Sequence, residues 1–104
     1  MSAEKMVKSE SPYFKGGTNK NNYVIEYGTL KKGANSQVKV DFEGINFMTF
    51  NKSCSCTNPE ISPKENGFTA LISYNTNKIG TINQWVKFNT SLGEIKIDLK
   101  GQVI

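Results

Sequence analysis

The sequence predicts an all-β chain folded as an antiparallel β-sandwich. Three observations carry this reading. From Tyr23 onward, apolar residues recur at every second position. Turn-forming residues interrupt that alternation at short intervals, and no stretch long enough for a helix carries a 3.6-residue period. The 104 residues amount to one domain, large enough to close one core without disulfide staples.

The elements follow in order. "YVIEY" places Tyr23, Ile25 and Tyr27 on one face, after which Gly28 and "KKGAN" read as a turn. "QVKVDF" turns Val38, Val40 and Phe42 inward and its charges outward. Glu43-Gly44 is a turn, and "INFMTF" is apolar on both faces. "TNPEISPKENG", with two prolines and a glycine, reads as a loop. "FTALISY" puts Ala70, Ile72 and Tyr74 on one face, "NTNKIG" turns, and "TINQWVKF" buries Ile82, Val86 and Phe88. After a turn at "NTSLG", "EIKIDLKGQVI" points Ile95, Ile97, Leu99 and Val103 inward.

Residues 1–22 differ in character. They are polar, with Pro12, Tyr13 and Phe14 as their one apolar knot, and the expectation is an extended N-terminal arm preceding a sandwich domain over 23–104. The arm has no apolar h-region, so no secretory signal is expected. No run approaches the ~20 apolar residues of a membrane span.

Net charge is +4, yet all thirteen basic residues are lysine. Arginine supplies most bidentate phosphate and guanine contacts. The lysines also alternate with acids, as in Lys39, Asp41 and Glu43 or Glu94, Lys96, Asp98 and Lys100, which is the pattern of a solvated strand face. Neither nucleic acid nor membrane is an expected partner. There is no histidine, so the commonest general base is missing. The carboxylates stand in turns or beside lysines, and "KGG" lacks the strand–helix context of a phosphate loop. No enzyme activity and no cofactor are expected.

The stretches "YGTLKKG", "SCSCTNPEISP", "GFTALISYNTNKIGTINQWVKFNT" and "LKGQV" resemble a widespread bacterial immunoglobulin-like domain family of unknown function, related to the hydin-type modules. Gly28, Thr29 and Gly33 match its opening motif, and Ser53, Cys54, Cys56 and Thr57 its SCGCT-type motif. Ile61 and Pro63 match its loop, Gly80 its turn, and Leu99 and Gly101 its end. The likeness spans residues 25–104 and implies an immunoglobulin-like sandwich. Ser55 stands where the family has glycine, as does Lys64.

Cys54 and Cys56 admit several chemistries. Structural zinc needs four ligands, and this chain offers two. Copper(I) can be held by two thiolates, so a weak metal alternative at Cys54 and Cys56 stays open. In an extended strand residues i and i+2 lie about 6.6 Å apart, at the upper edge of the disulfide range, so a bridge would need a bend. A redox pair ordinarily has C-x-x-C spacing at a helix N-terminus. The plainest expectation is two small, partly buried thiols where a strand leaves the sandwich.

Two candidate interface features remain. Counting alternation, Trp85 and Leu71 point outward, and the strands bearing them are expected to pair and form a contact patch. Tyr13 and Phe14 could anchor the arm in a neighbour or dock on the chain's own sandwich. A small, unexported, arginine-free immunoglobulin-like protein with an arm is similar to the auxiliary (decoration) proteins of tailed bacteriophage heads. That resemblance implies a virion location, the major capsid protein or other virion proteins as partners, possible self-association within the assembly, and attachment through the arm and one sheet face. The alternatives are a phage neck or tail component, or a bacterial ligand-binding or adhesion module, copper-binding through Cys54 and Cys56, which places the chain in the bacterial cytoplasm if it is not exported.

Overall fold

The computed structural model describes residues 6–19 and 21–104. Residues 1–5 and 20 of the expected arm lie outside the described residues. The strands are β1 (Met6–Lys8), β2 (Phe14–Asn19), β3 (Asn22–Leu30), β4 (Val38–Glu43), β5 (Phe47–Lys52), β6 (Thr57–Lys64), β7 (Gly67–Tyr74), β8 (Gly80–Thr90) and β9 (Gly93–Val103). One sheet has the order β1-β4-β7-β6, the other β2-β3-β9-β8-β5. This is an immunoglobulin-like sandwich: β1-β4-β7-β6 is the ABED sheet and β5-β8-β9 the CFG sheet. The second sheet is widened by β3, parallel to β9, and by β2 beyond it.

Alternation builds the core. Val38, Val40 and Phe42 from β4 and Phe68, Ala70 and Ile72 from β7 face Ile82, Val86 and Phe88 from β8 and Ile95, Ile97 and Leu99 from β9, all buried. Phe42 and Phe68, direct partners in their sheet, stack at 4.2 Å between ring centroids, and Phe88 meets Phe42 edge-on from the other sheet. Each of these fully buried rings contributes about 2–3 kcal/mol.

The structure departs from the sequence reading in four places. The expected loop at "TNPEISPK" is strand β6, at the edge of its sheet. Pro59 and Pro63 lie four residues apart, so both nitrogens fall on the same side of the strand. An edge strand has an open side where no ladder bond is lost. Gly28 does not begin a turn; β3 runs through it to Leu30, with a register shift against β9 between Glu26 and Thr29. In β5 a register shift between Phe47 and Thr49 lets Phe47 and Phe50, three residues apart, both pack on the core and leaves Met48 exposed.

The fourth departure is the arm. β1 pairs with β4 on one sheet and β2 with β3 on the other, so residues 6–19 are built into the sandwich rather than set apart from it. The described arm therefore docks on its own domain, dividing between the two layers.

Candidate functional site

The end of the sandwich that carries the cysteines is assembled from four segments. The chain leaves β5 at Lys52 and enters β6 at Thr57, crossing from one sheet to the other. Ser53 anchors the departure: its N–H donates to the Trp85 carbonyl at 3.0 Å, its hydroxyl donates to the Gln84 side-chain oxygen at 2.6 Å and accepts the Trp85 N–H at 2.9 Å. A turn follows, closed by the Thr57 N–H on the Cys54 carbonyl at 3.2 Å, and the Cys56 carbonyl accepts the Asn75 N–H at 2.8 Å. The corner is thus tied to β8 in one sheet and to the end of β7 in the other.

Within that turn Cys54 and Cys56 are joined by a disulfide, their Cα atoms 5.1 Å apart. The expectation of free thiols is corrected, and the bend that a bridge at this spacing requires is the turn itself. Joined to each other, the sulfurs offer no thiolate pair to copper, which removes the geometry of the metal alternative in this oxidised form. Among the described residues no cluster of three or more potential ligands offers another metal site. The bridge closes only three residues, so the loop-entropy stabilisation is about 1.5 kcal/mol, roughly half that of a ~15-residue loop. A core of this size does not depend on it.

The bridge borders a cleft of about 310 Å³ whose other walls include Tyr74, Lys78, Ile79 and Gln84. Ile79 is 64 % exposed on the loop between β7 and β8. The Gly33 N–H donates to the Thr76 carbonyl and the Lys32 N–H to the Ile104 carbonyl, each at 3.0 Å. These bonds bring the loop between β3 and β4, with Lys31 and Lys32, beside Lys78 and the exposed Ile104. Among the described residues none of these three lysines has an ion-pair partner.

Compared with protein families and with curated proteins, the chain matches none. Geometry therefore carries the functional argument.

The sequence-predicted interface residues do not meet. Leu71 is on β7 and Trp85 on β8, which belong to different sheets, so the two side chains sit on opposite outer faces and form no common patch. Both are half-buried. Lys87 lies over the Trp85 ring at 4.7 Å from its centroid, while Leu71 is flanked across the ladder by Lys39 and Glu60. Tyr13 packs on Tyr27 at 5.2 Å and Phe14 stacks on Tyr23 at 5.5 Å; both are partly buried against the core. These aromatics are internal anchors of the arm.

Two polar groups elsewhere in the sandwich are set by their surroundings. Burial pushes the Tyr27 hydroxyl's pKa well up, and the hydroxyl donates to the Ser36 carbonyl at 2.8 Å. At Asp41 partial burial pulls upward, but hydrogen bonds from Thr69 and Lys64 and the charges of Lys64 and Lys39 outweigh it and hold the carboxyl below its ordinary value. Sequence reasoning missed the cleft beside the cysteines. Its one available signal was Ile79, an isoleucine in an otherwise polar turn.

Proposed function

We propose that the chain is a non-enzymatic structural module that works by surface contact, as an auxiliary protein on the outside of a bacteriophage head with the major capsid protein as partner. The observation that carries this reading is the basic, apolar-tipped end of the sandwich: Lys31, Lys32 and Lys78, none with an ion-pair partner among the described residues, stand on adjoining segments with exposed Ile79 and Ile104. An apolar contact ringed by cations complements an acidic protein surface. The elongated shape, 48 × 22 × 20 Å, suits a module that stands on a lattice by one end. Attachment is assigned to that end and not to the arm, whose described strands are spent within the two sheets. The disulfide fits this setting, because such bonds persist on virion surfaces.

The same bridge supports a second reading, an exported immunoglobulin-like adhesion module, since disulfides also persist outside the cell. Locating the protein in purified virions separates the two. Under the first reading it is present at a fixed copy number, and the variant Lys31→Glu, Lys32→Glu, Lys78→Glu fails to rebind stripped particles while melting like wild type. Absence from particles, or full rebinding by the charge-reversed variant, sinks it.

A further inference from the structure

We propose that the Cys54–Cys56 bridge is a thiol–disulfide exchange site that accepts a small acidic thiol in the cleft beside it. Four observations point there. Both cysteines are half-buried rather than sealed, and both line the cleft. The bridge closes a turn already held by hydrogen bonds from Thr57 to Cys54, from Asn75 to Cys56 and between Ser53 and β8, so opening it leaves both sulfurs in place to close again. The Cys56 N–H lies 3.1 Å from the Cys54 Sγ and donates to it. Lys78 lines the same cleft and has no ion-pair partner among the described residues.

The asymmetry sets the direction of the chemistry. A backbone N–H aimed at Cys54 Sγ stabilises negative charge there, so Cys54 is the better leaving group and Cys56 the sulfur attacked. An incoming thiolate forms a bond to Cys56 Sγ as the Cys54–Cys56 bond breaks, and the electron pair leaves on Cys54 as a thiolate. A second thiolate then attacks the mixed disulfide at its external sulfur, releasing the oxidised thiol and leaving Cys56 reduced. The net change is one protein disulfide and two thiols giving one protein dithiol and one small disulfide. Lys78 favours thiolate over thiol in the cleft and attracts a carboxylate on the incoming molecule. Ile79 supplies an apolar wall. A volume of about 310 Å³ lies at the small end of ligand pockets and fits a peptide-sized thiol better than a folded partner.

The test uses the full-length oxidised protein and glutathione. Brief exposure, acid quench, alkylation and peptide mapping should place the glutathione adduct on Cys56 in at least tenfold excess over Cys54. The far-UV circular dichroism should stay unchanged through complete reduction. Lys78→Ala should slow adduct formation several-fold. Reduction only in denaturant, equal adduct on the two cysteines, or an unaltered rate in Lys78→Ala would each overturn the proposal.

Discussion

Gly101 on β9 lies against the backbone of Gly28 on β3: a Cβ added to Gly101 would stand 2.8 Å from the Gly28 carbonyl oxygen and 3.0 Å from the Tyr27 Cβ. The contact falls at the register shift in the parallel β3–β9 ladder. Both glycines have positive φ, 65° at Gly28 and 149° at Gly101. The two motif glycines that lie far apart in the sequence thus answer a single packing requirement.

That relationship predicts an order. At Gly28 a Cβ would meet nothing within 4 Å, so Gly28→Ala bears only the left-handed backbone cost, about 1–2 kcal/mol. Gly101→Ala adds a clash with backbone and should cost about 2–4 kcal/mol. Gly67→Ala is worst, because its Cβ would fall 1.9 Å from the Phe42 carbonyl oxygen. Denaturant midpoints of the three variants should fall in that sequence; any other ranking contradicts the packing described.

Thr57, directly after the disulfide, is fully buried, and its hydroxyl has no hydrogen-bond partner among the described residues. Replacing an unsatisfied buried hydroxyl with a methyl group removes a desolvation cost at constant shape. Thr57→Val should therefore be neutral or stabilising, by up to about 1–2 kcal/mol in chemical denaturation. A clear loss of stability would mean that the hydroxyl is bonded in solution.

Tyr27 donates to the Ser36 carbonyl, and Ser36 in turn bonds Tyr74 through both its hydroxyl and the Tyr74 N–H. Tyr27→Phe strands a buried acceptor and should cost about 1–3 kcal/mol. Because the folded state raises this hydroxyl's pKa above its ordinary 10.0, its contribution is intact below pH 10 and is lost as pH rises beyond it. An alkaline titration followed by tyrosinate absorbance should show one tyrosine that ionises only with unfolding, absent from Tyr27→Phe.

Deleting residues 2–22 removes β1 and β2, uncovers the edges of both sheets and strips Tyr13 and Phe14 from Tyr27 and Tyr23. The truncated chain should lose at least about 3 kcal/mol from aromatic burial alone and associate through its bared edges. Light scattering and urea unfolding measure both. A monomer with an unshifted midpoint would show that the arm is dispensable after all.

Strands β4, β7, β8 and β9 were legible because each buries one face and exposes the other, so period two writes itself into the sequence. The missed features share a cause: they depend on what lies beside a strand rather than on the strand itself. Pro59 and Pro63 look like loop residues unless β6 is known to be an edge. Phe47 and Phe50 lose their alternation to a register shift. Leu71 and Trp85 were expected as neighbours because a short loop joins their strands, but that loop crosses between the sheets. The cysteine bridge could be weighed but not decided, since it needs a turn that the residues "SCSC" do not announce.

The parallel pairing of β3 with β9 has a bearing on synthesis. Residues 22–30 leave the ribosome well before their neighbour in the sheet, the segment 96–103. A nascent chain thus carries one side of the β3 ladder unpaired until β9 has emerged. Such long-range pairing favours folding over milliseconds to seconds rather than microseconds, and it makes prematurely terminated products natural substrates for chaperones and proteases.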